Sequence, residues 1–326
     1  MIAFVLRRLA QATLVLLIVG FVSFSMFRFI GDPINNMMGQ EATLEQRAEL
    51  ARQLGLDQPF PVQFARFIAR AATGDFGVSY RLGRPVMDLI LERLPATLEL
   101  ALVSALLAFF VGVSLGVYTA IRPRGLASRF VMTASLVGVS LPTFLIGIGL
   151  IYVFAVELGW LPSFGRGQTV QIGGWSTGFL TQSGLASLVL PAITLALYQM
   201  TLIMRLVRAE MMEVLRSDYI KFARARGLPE RRVNFRHALK NTMVPVITIT
   251  GLQLGSIIAF AIVTETVFQW PGVGLLFITS VQFVDVPVMA AYLMLIGLVF
   301  VVINLVVDLL YYAVDPRLRV EGARGH

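Results

Sequence analysis

The sequence predicts an all-α membrane protein with six transmembrane helices. Apolar residues make up 57% of the 326 residues and charged residues only 14%, and the mean hydropathy is +0.78. A soluble domain has about 45–50% apolar and about 25% charged residues, so this chain carries more apolar surface than a soluble fold can bury. Six long apolar runs supply the excess, and each can cross a hydrocarbon core of about 30 Å.

The six runs are Leu9–Ile30, Ala96–Ile121, Phe130–Val156, Leu185–Met204, Met243–Thr264 and Val288–Tyr312. Lipid offers the backbone no hydrogen-bond partner, so each run is expected to be a helix, with kinks at Pro142 and Pro191. Continuous apolar runs are not typical of membrane strands, which alternate apolar and polar residues. The first run is longer than the apolar part of a cleavable signal peptide, so we expect it to remain as a membrane helix.

The short connections between the runs predict the orientation. The N-terminal segment, the second and fourth connections and the C-terminal tail together carry eighteen Arg and Lys residues, whereas the third and fifth connections carry only Arg166. Short cytoplasmic loops of membrane proteins are rich in basic residues, so both termini are predicted to be cytoplasmic. The net charge of +8 thus reflects membrane orientation and does not indicate nucleic-acid binding.

Several chemistries are excluded by what the sequence lacks. It contains no cysteine and only two histidines, which excludes disulfides, thiolate metal sites and an imidazole metal cluster. Neither lysine follows a glycine, so no phosphate-binding G-x-x-x-x-G-K loop is present. The chain is therefore expected to hold no cofactor and not to hydrolyse ATP by itself.

The long first connection, residues 31–94, is amphipathic. Thr43 and Gln46 are spaced as a capping box that begins a helix, and Val62–Ala72 is predicted to be a second helix after a break at Pro59 and Pro61. Two interpretations stay open for this segment. It is either a small cap that covers the helical bundle or a docking surface for an external partner.

The fifth connection, Glu265–Pro287, is apolar and contains no Lys or Arg. Its apolar run is too short to span a membrane, so we expect a re-entrant or interfacial helix after a turn at Pro271 and Gly272. The residues expected to form an outer gate or scoop are Val267, Phe268, Trp270, Pro271 and Gly272. In the third connection, Trp160 and Trp175 are expected to anchor at the outer membrane interface.

Five polar residues lie within or near the runs: Glu99, Gln199, Gln253, Asn304 and Asp308. We expect these residues to make structural hydrogen bonds or to lie at the membrane interface rather than to line a translocation path. Glu99 and Asp308 are expected near the inner ends of their spans, where water is close. The pairs Gly112–Gly116 and Gly251–Gly255 have the spacing that allows helices to pack closely.

The fourth connection carries a predicted helix of about three turns. Ser217 or Asp218 begins it, Gly227 ends it, and Leu215, Tyr219, Phe222 and Ala223 make one apolar face. Three interpretations compete. The helix rests on anionic headgroups, belongs to a solvated loop without a role, or fits a groove on a partner protein.

The residues of this connection resemble the EAA loop of ABC-importer permeases, most closely those of the dipeptide, oligopeptide and nickel branch. The matching residues run from Ser217-Asp218-Tyr219-Ile220-Lys221-Phe222-Ala223-Arg224-Ala225-Arg226-Gly227 to Arg236-His237-Ala238-Leu239-Lys240-Asn241. Further matches are Leu54-Gly55-Leu56-Asp57, Gly74-Asp75-Phe76-Gly77, Arg93-Leu94-Pro95-Ala96-Thr97-Leu98-Glu99, Trp270-Pro271-Gly272 and Asp315-Pro316-Arg317. Lys221-Phe222-Ala223 stands where the general motif has Glu-Ala-Ala, so no carboxylate is expected to act there.

The resemblance implies a type I ABC importer permease fold in the bacterial inner membrane. It implies a coupling helix at about residues 218–227 that contacts an ATP-binding subunit through Asp218, Tyr219, Phe222, Ala223, Arg224, Arg226, Gly227 and Leu228. The implied domains are residues 1–94, with the first helix and a periplasmic segment, residues 95–312, with five helices, and a cytoplasmic tail at 313–326.

The function that the resemblance implies is that of a permease subunit for di- or oligopeptides. The implied partners are a second homologous permease, two ATP-binding subunits or domains that hold ATP and Mg²⁺, and an extracytoplasmic substrate-binding protein. The same role for glutathione, a nickel chelate or another small solute stays open. A secondary transporter is the alternative from another class, although no inverted repeat is visible.

Overall fold

The computed structural model describes residues 2–29, 43, 45–46, 49, 52 and 58–314. In chain order the helices are α1 (Ile2–Phe29), α2 (Phe60–Ala72), α3 (Val86–Ile121), α4 (Leu126–Ser140), α5 (Thr143–Leu150), α6 (Gln182–Val214), α7 (Asp218–Ala225), α8 (Glu230–Arg232), α9 (Leu239–Val267), α10 (Val273–Gln282) and α11 (Val286–Val314). Two π-helical segments, Ile151–Glu157 and Val233–Ala238, continue α5 and α8. Strands β1 (Val170–Ile172) and β2 (Trp175–Thr177) form an antiparallel hairpin.

Within the described part of the chain, four helices are long and apolar enough to cross a membrane: Arg8–Met26, Val86–Ile121, Gln182–Val214 and Val286–Val307. Two further pairs of segments qualify together but are bent. Leu126–Ser140 and Thr143–Glu157 meet at 111°, and Pro245–Gly251 and Gly255–Val267 at 47°. The chain is thus a mostly helical membrane protein with four to six candidate spans.

The third predicted run is not one continuous helix. Leu141 is extended (φ −90°, ψ 137°) because the proline ring disfavours a helical conformation at the residue before it, and Pro142 (φ −56°, ψ 136°) is the N-cap residue of α5. The expected kink at Pro142 is therefore a complete break between α4 and α5. Pro191, in contrast, lies inside α6, which continues past it as one helix.

Two helices extend ten residues beyond their predicted apolar runs. Helix α3 begins at Val86, ten residues before Ala96, and α6 ends at Val214, ten residues after Met204. Both extensions contain charged residues, such as Glu92 and Arg208, which a search for continuous apolar sequence does not join to a membrane helix. Amphipathic helix continues there because the backbone hydrogen-bond ladder does not need an apolar surface on every side.

The described residues of 1–95 and 271–302 form one compact unit. Helix α1 packs against α2 through aromatic rings, with centroid distances of 5.1 Å for Phe24–Phe60 and 5.8 Å for Phe21–Phe64. Gly297 of α11 allows a close approach of Val19, and Phe277 of α10 stacks on Tyr292 at 4.4 Å. Edge-to-face and offset-stacked rings of this kind stabilise beyond their buried area.

The outer segment confirms one predicted signal and corrects another. The backbone N–H of Gln46 donates to Thr43 Oγ1 at 3.3 Å, and the backbone N–H of Thr43 donates to Gln46 Oε1 at 3.0 Å. These two hydrogen bonds form the predicted capping box. Helix α2 begins at Phe60 and contains Pro61 in its first turn, so Pro61 does not break the chain as expected. Proline is compatible with a first turn because the missing N–H has no partner there.

The second compact unit comprises the described residues of 96–270 and 303–314. Its helices α3 and α6 pack closely where Gly112 and Gly116 face α6. A Cβ atom on Gly116 would lie 2.7 Å from Val207 Cβ and 2.8 Å from the Met204 carbonyl oxygen. The predicted close packing at this glycine pair is confirmed. Gly251 of α9 makes a similar approach, with its would-be Cβ 2.7 Å from Val307 Cγ2.

The β-hairpin in the third connection was not predicted. Residues Val170 and Thr177 pair, as do Ile172 and Trp175, around the two-residue loop Gly173-Gly174. Gly173 adopts φ +59°, which the tight hairpin turns favoured by strand twist require. A Gly-Gly pair between two short alternating segments is the sequence signal that identifies this hairpin.

Candidate functional sites

Helix α7 matches the short helix predicted in the fourth connection within one residue. It was predicted over Asp218–Arg226 and is observed over Asp218–Ala225, with Arg226 in the C-cap position. Asp218 lies in the first turn, where a carboxylate suits the positive end of the helix dipole, and it pairs with Lys221 at 2.9 Å. Ser217 precedes the helix, but its hydroxyl donates to the Val214 carbonyl at 2.6 Å and makes no capping hydrogen bond.

A Schellman motif ends α7, as predicted for Gly227. Gly227 adopts φ +75°, its N–H donates to the Arg224 carbonyl at 2.9 Å, and the Leu228 N–H donates to the Ala223 carbonyl at 3.4 Å. A Cβ on Gly227 would meet nothing within 4 Å. Glycine is therefore required at this position by the backbone conformation and not by lack of space.

The buried face of α7 differs from the predicted one. Ile220 is fully buried and Ala223 is 7% exposed, and both belong to the apolar core formed with Val207 and Val233. The expectation that Ala223 faces a partner is wrong, because its methyl group packs inside its own chain. Phe222 is 64% exposed.

The other predicted contact residues of α7 are divided between internal and exposed positions. Tyr219 is 43% exposed, and its hydroxyl accepts a hydrogen bond from Asn241 Nδ2 at 2.7 Å. Arg224 forms a two-point ion pair with Glu230, at 2.9 and 3.3 Å, so its guanidinium is engaged within the chain. Arg226 places its Cζ 5.7 Å from the Phe222 ring centroid. Leu228 is partly buried against the same apolar core as Ala223.

The core beneath α7 joins it to the ends of two long helices. Met211 near the end of α6, Val233 and Ala238 of the π-helical segment and Val246 of α9 are all buried in the cluster that receives Ile220. Close-packed interiors transmit displacement because they have low compressibility. A force applied to the exposed side of α7 therefore acts on both α6 and α9.

A second candidate site lies in the first half of α3, where Glu99 forms a buried ion pair with Arg166. Arg166 Nη2 donates to Glu99 Oε2 at 2.6 Å, and the two side chains are 7% and 4% exposed. Trp175 Nε1 donates to Glu99 Oε1 at 3.2 Å, and the Gly178 N–H donates to Oε2 at 3.3 Å. Arg166 also donates to the carbonyl and hydroxyl of Ser176, at 2.7 and 3.1 Å.

This arrangement corrects the place predicted for Glu99. We expected it near an inner end of a span with water close by, but it lies in the half of α3 that is remote from the basic second connection, and it is buried. The expected structural hydrogen bonding is confirmed. Arg166 had served only as a marker of orientation, and no local pattern indicates its partner because 67 residues separate the two.

Two of the predicted gate residues, Phe268 and Trp270, are buried after the end of α9. Trp270 Nε1 donates to the Ala96 carbonyl at 3.0 Å, and the Phe268 carbonyl accepts the N–H of Gly165 at 2.9 Å. Next to them, Thr97 Oγ1 donates to Glu265 Oε1 at 2.5 Å. These hydrogen bonds join the beginning of the predicted second run, the third connection and the end of α9.

The remaining gate candidates lie beside these residues in the chain. Val267 is the last residue of α9 and is partly buried. Pro271 is exposed, and buried Gly272 precedes the first turn of α10. Helix α10 has ten residues and is apolar, so it is too short to span a membrane, as expected from the sequence.

In the first compact unit, Asp285 holds the turn that follows α2. The Ser79 hydroxyl donates to Asp285 Oδ2, and the Tyr80 N–H donates to Oδ1 at 3.1 Å. Both Ser79 and Asp285 are buried. Arg81 lies over the Phe283 ring at 3.7 Å, and Val284 has φ +53°, an uncommon conformation for a β-branched residue.

Two titratable groups in and before this turn are perturbed. Burial raises the pKa of Tyr80 to about 12, and the charge of Asp285 adds to the effect. The hydrogen bond from Arg70, at 2.9 Å, lowers the pKa of Asp75, and the Gly77 N–H contributes in the same direction. The hydrogen bonds of Asp285 to Ser79 and Tyr80 define the conformation of this turn.

Comparison with known proteins identifies the family. Residues 112–320 match the family described as binding-protein-dependent transport system inner membrane component, and residues 1–101 match the N-terminal part of such membrane components. The chain is 37% identical to the dipeptide transport system permease protein DppB of Alkalihalophilus pseudofirmus, over 98% of this chain and 100% of the relative.

Other relatives and a solved structure agree. The chain is 38% identical to the di/tripeptide transport system permease protein DppB of Pseudomonas aeruginosa, covering 98% of this chain and 99% of that one. It is 39% identical to the glutathione transport system permease protein GsiC of Escherichia coli, covering 98% and 100%. An inward-facing structure of the MetNI methionine ABC transporter shares the fold, with a TM-score of 0.55 at 19% identity over 70% of this chain and 96% of that chain. The chain therefore belongs to the family of binding-protein-dependent transport system inner membrane components, which are the permease subunits of ABC importers.

Proposed function

We propose that this chain forms half of the translocation path of an ATP-driven importer of short peptides. The relatives at 37% and 38% identity that are named for dipeptides and di/tripeptides support this cargo. A relative at 39% identity is named for glutathione, which keeps that tripeptide as the second candidate. Uptake of a labelled dipeptide and of labelled glutathione by vesicles containing the complete importer separates the two. Uptake of neither contradicts the proposed cargo class.

The proposed assembly contains a second homologous permease, two ATP-binding subunits on the cytoplasmic side and a substrate-binding protein outside. ATP and Mg²⁺ are bound by the ATP-binding subunits in this proposal. Each of the two bent pairs is one span, so that six spans cross the inner membrane and both termini are cytoplasmic. The basic residues of the second and fourth connections support this orientation.

The observation that carries the coupling role is the two-sided character of α7. One face, with Ile220 and Ala223, is buried in the core that joins α6 and α9, and the other presents Phe222 beside Arg226. An exposed aromatic ring beside a guanidinium is typical of the residues that dominate binding energy at protein interfaces. We therefore assign Phe222 as the anchor on the ATP-binding subunit.

The test replaces the proposed anchor. Phe222→Ala is expected to weaken binding of the ATP-binding subunit by about 2 kcal/mol or more, which is roughly a thirtyfold higher Kd. Phe164→Ala is the matched control, because Phe164 is 58% exposed but lies in the third connection, on the other side of the membrane in the proposed orientation. Binding should be measured by titration of the purified subunits in detergent. Equal affinities of both variants and the unaltered chain would contradict the coupling role.

A further inference from the structure

We propose that the third connection is a lock between α3, at Glu99, and the end of α9, and that Arg166 is its positioning residue. The lock is defined as Gly165–Gly178 together with Glu99 and the turn Phe268–Trp270. The proposal rests on the proposed function, because it gives the lock a role in coupling cargo delivery to ATP hydrolysis.

The first argument is the number of elements that meet at one guanidinium. Arg166 binds Glu99 on α3 and both polar groups of Ser176 in the hairpin. Its Cζ also lies 6.0 Å from the Trp270 ring centroid, within the range of a cation–π interaction. A single side chain thus contacts α3, the hairpin and the turn after α9.

The second argument is that the ion pair is costly to bury and that further hydrogen bonds support it, although Arg166 Nε has no hydrogen-bond partner among the described residues. Arg166 and Glu99 are almost inaccessible, and removing a charge from water is unfavourable unless partners replace the water. Glu99 receives donors from Arg166, Trp175 and Gly178. Hairpin and helix are consequently held in one arrangement, since any other arrangement leaves a buried charge without its partners.

The third argument is that the lock reaches α9 by the backbone as well. Gly165 lies one residue before Arg166, and its N–H donates to the Phe268 carbonyl. Ala96 lies three residues before Glu99, and its carbonyl accepts a hydrogen bond from Trp270 Nε1. Helix α9 begins near α7, the proposed coupling helix, and ends at the turn Phe268–Trp270. Displacement of α9 by the ATP-binding subunit therefore acts directly on the lock.

The consequence is a specific coupling phenotype. When the lock is intact, the part of α3 around Glu99 and the end of α9 move as one body, and ATP hydrolysis stays slow until cargo is delivered. When the ion pair is broken, these two parts separate without cargo. The ratio of cargo-stimulated to basal ATP hydrolysis in the reconstituted importer should then fall by about fivefold or more, a typical size for coupling between sites.

The experiment compares Glu99→Gln, Arg166→Gln and the double variant in the reconstituted importer. Glu99→Gln is isosteric and keeps an acceptor for Trp175, so it removes chiefly the charge. A charge reversal is not a useful rescue, because an arginine at position 99 would face the donors of Trp175 and Gly178. The double variant leaves no unpaired buried charge and should lose less thermal stability than the two single variants together.

Two controls distinguish a lock from a general loss of stability. Ser104→Ala removes a buried hydroxyl on the same helix that bonds only the Leu100 carbonyl in its own helix, and the ratio should stay unchanged. Phe24→Ala removes a buried ring between α1 and α2 and should lower the melting temperature without changing the ratio. Hydrogen exchange of the Gly165 and Gly178 amides reports the lock itself, and protection should fall by about tenfold or more in the single variants.

An unchanged ratio in Glu99→Gln and Arg166→Gln would overturn the lock, whether or not amide protection is lost. A fallen ratio with protection retained would also overturn it, because the effect would then arise elsewhere. Failure of the proposed function appears differently, as absence of peptide and glutathione uptake by the unaltered importer. Normal uptake by the unaltered importer together with unaffected variants rejects only the lock.

Discussion

At the scale of single residues, backbone conformation and burial decide which positions of α7 tolerate change. Gly227 meets no neighbour yet adopts φ +75°, so a larger side chain fits in space but not in conformation. Ala223 is the opposite case, since it is helical but enclosed by the core. Phe222 is limited by neither and is free to contact a partner.

Gly227→Val is expected to disrupt the Schellman motif, because a β-branched residue in the left-handed region costs about 1–2 kcal/mol or more. Gly227→Asn is the matched control, since asparagine visits this region readily. We expect binding of the ATP-binding subunit and cargo-stimulated ATP hydrolysis to fall for Gly227→Val and to be nearly retained for Gly227→Asn. Equal retention in both variants would contradict a requirement for this turn.

Tyr80 provides a test of the turn that Asp285 holds. Its pKa is raised from 10.0 to about 12, chiefly by burial, so the folded state keeps the phenol neutral where the unfolded chain ionises it. The stability from this group is complete below about pH 10 and is lost as the pH rises through about 12. In a pH titration of the folded protein followed by the near-ultraviolet absorbance of phenolate, the ionisation step at the highest pH should be absent from Tyr80→Phe. Asp285→Asn should move that step to lower pH, and an unmoved step would contradict the electrostatic contribution.

At the scale of elements, small residues set how closely helices approach. The side of α3 that carries Gly112 and Gly116 lies against the backbone and β-branched side chains of α6. The breaks have equally local causes, since α4 ends where the extended Leu141 precedes Pro142. The core beneath α7 thus depends on the close approach of α3 and α6 at Val207.

Gly116→Ala is expected to destabilise the chain by about 1–3 kcal/mol through overpacking, because the added methyl group would lie 2.7 Å from Val207 Cβ. Gly149→Ala is the control within a helix, since a Cβ there meets nothing within 4 Å. Thermal unfolding in detergent should show a lower midpoint for Gly116→Ala only. A lower midpoint for both variants alike would mean that glycine flexibility and not close packing is involved.

At the scale of the whole molecule, the distribution of charge predicts its orientation. The basic residues concentrate in the second and fourth connections and the tail, whereas the third connection uses its one arginine internally, against Glu99. Arg166 is therefore not an exposed charge that opposes the orientation rule. Among the residues that the structure describes, the asymmetry of exposed basic residues is therefore stronger than the count in the sequence indicates.

The orientation can be tested cleanly because the chain contains no native cysteine. A cysteine at exposed Gln168 should react with a membrane-impermeant thiol reagent added outside cells, and one at exposed Arg231 should react only after the membrane is opened. Arg231 is preferable to Glu230, whose carboxylate pairs with Arg224. Reaction of the Arg231 variant in intact cells would reverse the orientation.

The absence of a phosphate-binding loop from the sequence predicts that the purified chain alone hydrolyses no nucleotide above background. Hydrolysis should appear only when the ATP-binding subunits are added, because the proposed complex binds ATP and Mg²⁺ there. Phosphate release by the isolated chain, with the reconstituted importer as the positive control, checks this. Turnover that persists through repeated purification of the chain would contradict it.

The sequence by itself determined the membrane class, the apolar runs, the short helix at Asp218 and its end at Gly227. These features depend on local periodicity, on the lack of water in lipid and on the conformational freedom of one residue, all of which a single stretch of chain records. The capping box at Thr43 and the close packing at Gly116 are of the same kind.

Only the tertiary structure decided which face of α7 is buried. Ala223 and Phe222 are neighbours in sequence, and Ala223 is the buried one because it packs in the core with Val207 and Val233. It also decided that Glu99 meets Arg166 and that Ser79 meets Asp285, across 67 and 206 residues. Ion pairs and hydrogen bonds between distant residues leave no periodic trace in sequence. Their partners are selected by the packing of the helices that carry them, so they become visible only once those helices are in place.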